Sequence, residues 1–218
     1  MRRFVAEKRA FRLAVVAEPT RARAVVAHRG VATGVMSFEG RASHSSDLNA
    51  QSAVHDLARW AGSALDLARE LESIESGGLR GVRLNIGRIE GGEKPNVVAA
   101  RAEARFGVRP PPCMSGVDAL ARFAALAPAR FEMRFSGPPL PASEDLGARA
   151  AAEVARLGLS ASPPVDFWTE AALLSEAGTP AIVLGPGDIV QAHGPDEFVA
   201  LAELETAARA YLSILEAG

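Results

Sequence analysis

From Val31 to Phe135 the spacing of apolar residues changes period in one particular order, and few folds accept that order. Val31–Phe38 reads as a strand, with Gly30, Gly34 and Gly40 as interruptions. Asp47–Leu71 then repeats Ala53, Leu57, Trp60, Ala61, Ala64, Leu65 and Ala68 at three- and four-residue steps, the apolar stripe of an amphipathic helix. Asp47 or Asn49 is positioned to cap it. Val82–Ile89 alternates apolar and polar, turns through Glu90–Pro95, and alternates again over Val97–Val108. Val117–Ala127 predicts a second helix and Phe131–Phe135 a fourth strand. The order β-α-β-β-α-β is that of a ferredoxin-like unit, an antiparallel sheet with both helices on one face.

The flanks read differently. Leu13–Ala17 is a short apolar strand ended by Glu18-Pro19, and Val25–Ala27 is a further strand candidate. After the proline-rich linker Gly137–Pro141 come a helix over Glu144–Leu157, another over Thr169–Ala177 stopped by Gly178, an apolar strand Ala181–Leu184 and a closing helix Leu201–Leu215. This tail is α/β in character, and its strand is expected to pack with Leu13–Ala17. The expected organisation is therefore α/β: a partial catalytic domain over 1–28 and 138–218, with a ferredoxin-like lid over 29–137 inserted between its halves.

Composition excludes several classes of function. With 24 basic and 26 acidic side chains and a formal net charge of −2, the chain offers no field for nucleic acid. Arg2, Arg3, Lys8, Arg9 and Arg12 cluster near the start, either as a solvated end or as an anion site. No run approaches the roughly 18 apolar residues of a membrane span, and the basic start lacks the apolar core of a secretory signal. Cys113 is the single cysteine, which rules out an internal disulfide and fits a reducing cytoplasm.

Four groups of residues could carry chemistry. Glu18 and His193 each follow an apolar run, His193 in the Gly/Pro-rich loop Gln191–Phe198. Carboxylate and imidazole are the usual ligands of a hydrolytic zinc ion, and strand ends are where open α/β sheets bind substrates. A turn glutamate and a surface histidine would look the same. His44, in Arg41-Ala42-Ser43-His44-Ser45-Ser46, is either a solvated residue of a capping loop or a donor to an oxyanion. Asn96 and Arg109 bracket the second alternating strand, where an arginine could clamp a carboxylate or simply end the strand. Gly185-Pro186-Gly187 is either a tight turn or a source of backbone N–H groups for an anion. His28 and His55 read as structural or partly exposed.

In order along the chain, Ala17-Glu18-Pro19-Thr20, Ala27-His28-Arg29-Gly30, Gly40–Ser45, Pro95-Asn96-Val97-Val98, Phe106–Pro110, Asp166–Ala171 and Gly185-Pro186-Gly187 through Ala192–Glu197 resemble the zinc-dependent deacetylase and exopeptidase family. Phe167-Trp168-Thr169-Glu170 and Gly185–Ile189 are most similar to its acetylcitrulline and acetylornithine deacetylase branch. The resemblance implies two Zn²⁺ ions, with Co²⁺ as a substitute, held in the catalytic domain. It implies Glu18 on one metal and His193 on the other, and His44 as the lid histidine that crosses a homodimer to stabilise the oxyanion. Asn96, Arg109, Thr169, Gly185 and Gly187 would line the site of a small N-acyl amino acid. The family's His-x-Asp motif, its bridging aspartate and its Glu-Glu pair are not found here. The expectation is thus a truncated form, inactive unless a missing N-terminal half or a full-length relative supplies the rest. The alternative is a non-catalytic dimerisation or regulatory module.

Overall fold

The fold is described from a computed structural model, which describes residues 11–192 and 194–217. In chain order its principal elements are β1 (Ala14–Val16), β2 (Val31–Glu39), α1 (Ala53–Glu70), β3 (Arg83–Gly91), β4 (Arg101–Arg109), α2 (Gly116–Ala124), β5 (Arg130–Gly137), α3 (Glu144–Arg156), α4 (Ala171–Glu176), β6 (Ala181–Val183) and α5 (Leu201–Glu216). They divide into two compact units, one built from residues up to Arg29, Gly77–Leu79 and Pro138 onward, the other from Gly30–Ser76 and Arg80–Gly137.

The second unit is the β-α-β-β-α-β module. Its strands lie in the order β3-β4-β2-β5, all antiparallel, so β2 and β4 are central and β3 and β5 form the edges. Ala32, Met36 and Phe38 of β2 and Ala102, Ala104, Phe106 and Val108 of β4 point to one face. They meet Leu57, Trp60 and Ala64 of α1 and Ala119, Leu120 and Phe123 of α2 in one core. Trp60, 1% exposed, sits against Phe38 and Phe106 and donates its indole N–H to the Phe123 carbonyl at 2.9 Å, which ties α1 to α2. The opposite face carries arginines on long stems over Val31, Thr33, Val35 and Gly107.

Helix α1 starts later than expected. Ser52, not Asp47 or Asn49, is its cap, accepting from the His55 N–H at 3.4 Å. Asp47 instead closes a local turn, its carboxylate accepting from the Asn49 N–H and its carbonyl from Ala50. Gly40 sets this exit from β2: a Cβ there would lie 2.4 Å from the Gln51 carbonyl and 2.6 Å from that of Ala99.

In the first unit β1 and β6 pair in parallel, Ala14 with Ala181 and Val16 with Val183. The β6 run is buried on both faces. Ala181 and Val183 face Val25, Leu140 and α4, while Ile182 and Leu184 face Ala24, α3 and Tyr211 of α5. This two-sided burial is why the run reads as continuously apolar. The expected strand Val25–Ala27 does not form. Ala24 and His28 make isolated parallel bridges to Ala161 and Val165 of one segment, while Val25 and His28 bridge Val183 and Leu140 antiparallel, so the stretch divides its bonds among three segments. Large side chains of α5 remain exposed, Leu201 and Leu215 each at 77%.

Candidate functional site

Glu18 is exposed two residues past the end of β1. The chain beyond it is laced to the glycine turn after β6. Thr20, Arg21 and Ala22 donate backbone N–H groups to the carbonyls of Gly185, Gly187 and Gly185 at 2.8–3.1 Å. The buried Thr20 hydroxyl accepts from the Gly185 N–H at 3.1 Å. Arg21 and Ala22 both have φ of +54°, a left-handed pair that only a well-determined surrounding holds. The Arg21 guanidinium bonds Asp188, which keeps that carboxyl below its usual range, with the Val190 N–H as the second cause. Gly185 must be glycine for this approach, since a Cβ there would lie 2.5 Å from the Glu18 carbonyl. Gly187, at φ +87°, donates its N–H to Glu203 of α5 at 2.7 Å. Glu18, Gly185 and Gly187 are thus brought together at the ends of β1 and β6. His193 lies outside the described residues, as do Arg2, Arg3, Lys8 and Arg9 of the basic cluster.

Thr169 is buried beside His28. The Thr169 N–H donates to His28 Nε2 at 3.3 Å and its hydroxyl lies 3.1 Å from the same nitrogen. Nε2 is therefore an acceptor, and Nδ1 carries the proton toward the Arg29 carbonyl at 2.8 Å. Arg29, 1% exposed, is paired with Asp166. His28, Arg29, Asp166 and Thr169 thus form one hydrogen-bonded cluster that fixes the loop before α4.

His44 and Asn96 share one end of the four-stranded unit. His44 bridges Val97, the Ser45 N–H donates to the Asn96 carbonyl at 3.1 Å, and the Val98 N–H to the Ser43 carbonyl at 2.9 Å. Both side chains are exposed, and beside them a groove of about 480 Å³ is lined by Ser45, Ser52, His55, Lys94 and Pro95. Arg109 is elsewhere. Because Glu39 pairs with Arg101 and Ala32 with Val108, Arg109 ends β4 at the other end of the sheet. The nine-residue strand alone separates the two ends by about 26 Å. Asn96 and Arg109 thus stand at opposite ends of the strand they bracket, Asn96 in the turn that precedes β4, where it accompanies His44. Arg109 lies with Arg83, Asn85, Arg105 and Arg134 around a groove of about 510 Å³ on the open face. Ser46, which the sequence shows only as part of the loop around His44, bonds the His44 ring.

The donor set can be tested against the two metals that the resemblance implies. Catalytic zinc sites use three protein ligands each. Among the described residues no three His, Cys, Asp or Glu side chains gather as a metal site. Of the four histidines, the His28 ring is committed to Thr169 and Arg29, while His44 and His55 belong to the β-α-β-β-α-β unit. Glu18 and His193 together are two ligands at most, so these residues do not fit a two-metal centre.

The model of the peptidase dimerisation domain matches residues 26–132, the approach to the β-α-β-β-α-β unit and that unit as far as the start of β5. N-acetyl-L-citrulline deacetylase of Xanthomonas campestris pv. campestris is 48% identical over 212 residues, which cover 93% of this chain and 58% of that protein. Acetylornithine deacetylase of Shigella sonnei is 33% identical over 90% of this chain and 55% of its own length. The chain thus spans a little over half the length of these curated relatives. Among solved structures, aminopeptidase PepT of Bacillus cereus superposes with a TM-score of 0.69 at 19% identity, over 94% of this chain and 56% of that one. A tripeptidase of Staphylococcus aureus gives 0.62 at 18%, over 91% and 54%; these two likenesses concern the fold. The fold and the matches define an α/β protein carrying a peptidase dimerisation domain. The chain belongs to the deacetylase and exopeptidase family.

Proposed function

We propose that the protein takes part in hydrolysing the amide of a small N-acyl amino acid of the acetylcitrulline or acetylornithine kind, and that this chain contributes the lid and part of the catalytic unit. The observation that carries this reading is the 48% identity to N-acetyl-L-citrulline deacetylase across nearly the whole chain. In this reading His44 donates an N–H to the oxyanion of the tetrahedral intermediate, where charge develops as water adds to the carbonyl. Asn96, fixed in the same loop pair, holds the substrate beside it. Arg109 receives the carboxylate in a bidentate pair. The 26 Å strand between the two ends exceeds the span of one such substrate, which favours a homodimer in which the His44 end of one lid serves the other protomer's site. Glu18, His193 and the Gly185–Gly187 turn mark the catalytic side, with Thr169 behind it. We assign 1–28 and 138–218 to that side and 29–137 to the lid.

Activation of the attacking water is assigned to polypeptide outside these 218 residues, because among the described residues no three ligands gather to hold a metal. The exposed leucines of α5 support this, since an apolar face of that kind calls for a cover. The lack of a three-ligand group among the described residues equally supports a second reading, a dimerisation or regulatory module of the same family. One experiment separates them: metal analysis and acetylcitrulline and acetylornithine hydrolysis by the purified chain, alone and mixed with the N-terminal half of a full-length relative. Turnover only in the mixture supports the deacetylase reading, and none in either supports the module. Stoichiometric zinc and turnover by the chain alone overturn the assignment of water activation elsewhere. No described helix is long and apolar enough to cross a membrane; a cytoplasmic location is part of this proposal.

A further inference from the structure

We propose that Ser46 is a positioning residue that locks the His44 ring in one orientation with its proton on Nε2. The inference rests on the reading of His44 as an oxyanion donor for its functional meaning, but its geometry stands apart from that reading. The Ser46 backbone N–H lies 3.3 Å from His44 Nδ1, and the Ser46 hydroxyl lies 2.7 Å from the same atom. A backbone N–H can only donate, so Nδ1 must present its lone pair, and the hydroxyl, meeting that same lone pair, must donate as well. A neutral imidazole carries one proton, which is then on Nε2. Two donors from a single residue thus define both the tautomer and the ring plane.

The backbone on either side leaves the ring little other freedom. His44 is bridged to Val97, its carbonyl accepts from the Asp47 N–H at 2.9 Å, and its neighbours Ser43 and Ser45 are bonded to Val98 and Asn96. With the main chain pinned, rotation about the side-chain bonds is what remains, and Ser46 removes it. An exposed histidine without such a clamp samples rotamers and tautomers on its own. A donor aimed at a developing oxyanion gains from being oriented before the charge appears, because no reorganisation is then needed.

The chain supplies its own reference. His55 is also exposed, on the first turns of α1, and no ring bond is described for it. In the uniformly ¹⁵N,¹³C-labelled chain, long-range ¹H–¹⁵N correlation gives each ring's tautomer ratio, and Cα–Cβ couplings with ring ¹³C relaxation give its rotamer order. His44 is identified by the signal lost in His44→Asn. The expected result is a single rotamer and a single Nε2–H tautomer for His44, against averaged values for His55. Ser46→Ala should bring His44 to the His55 values, and Ser46→Thr, which keeps the hydroxyl, should restore the wild-type pattern. Averaging of His44 equal to that of His55 in the wild type, or no change in Ser46→Ala, overturns the proposal. The measurement needs neither substrate nor turnover, so a lock seen beside failed hydrolysis sinks the deacetylase reading alone, while hydrolysis without a lock sinks only the role of Ser46.

Discussion

Tyr211 is the one tyrosine of the chain, and its position makes it a probe of how α5 docks. Its hydroxyl donates to the Leu184 carbonyl at 2.5 Å, at the end of the run that also holds Gly185 and Gly187 against the Glu18 segment. Burial raises its pKa above the ordinary value of 10.0, because the phenolate would lose water there. A folded-state value above the unfolded one means that the folded chain binds more protons once the unfolded tyrosine begins to ionise. The stability this residue contributes is therefore whole below pH about 10 and is lost as pH rises through the folded value. An absorbance titration of tyrosinate should place the midpoint of the folded chain above that of the urea-unfolded chain, with no second tyrosine to confuse the signal. Equal midpoints would show that the α5 contact with Leu184 is not formed in solution. Residues such as Tyr211, Thr20 and Ser46 were not legible as polar anchors in the sequence. Each acts through a partner group, backbone for Tyr211 and Thr20 and the His44 ring for Ser46, whose position depends on how the loops fold, and no spacing encodes that.

At the scale of elements, the periodic segments were legible and their ends were not. Trp60, Leu57 and Ala64 mark the buried stripe of α1 because packing against one sheet face forces a 3.6-residue repeat. Alternation over β3 and β4 was readable for the same reason. The start of α1 was misplaced by six residues because Asp47, Asn49 and Ser52 are all competent caps, and only the return of Gly40 past Gln51 and Ala99 decides among them. That choice has a measurable consequence. Ser52→Ala should cost about 1 kcal/mol, the usual loss of a side-chain cap. Asn49→Ala, whose side chain bonds no helix N–H, should remain within about 0.5 kcal/mol of wild type. Urea unfolding of the two variants checks this; the reverse order would place the helix start where the sequence suggested. Val25–Ala27 failed as a strand for a related reason. Val25 and Ala27 are buried, as a strand's residues would be, but Val25 bonds Val183 while Ala27 bonds Val165, on two different segments.

For the whole molecule, the question is whether the inserted unit is a self-sufficient body. Its core runs from Ala32 through Phe123 without drawing on any buried residue of the flanking unit, and α1 and α2 are joined directly by the Trp60 bond to Phe123. Its sheet has two edges, and β5 presents Phe131, Met133 and Phe135 at 36–46% exposure. The flanking unit is assembled from segments on both sides of the insertion, so β1 and β6 meet only once the chain has passed through the module. Within the module β3 and β4 pair across a short turn, while β2 reaches β4 and β5 across longer loops; the parallel pair of β1 and β6 closes the longest loop of all, around the whole module, at an entropic cost. Residues 30–137 expressed alone should therefore unfold in one cooperative urea transition. If the dimer reading is right, they should also sediment at twice the mass of the segment. A broad, non-cooperative transition would mean that the module needs the flanking unit for its core. A cooperative transition with the mass of a single copy would keep the module but remove the homodimer, and with it the reason for His44 to stand a strand's length away from Arg109.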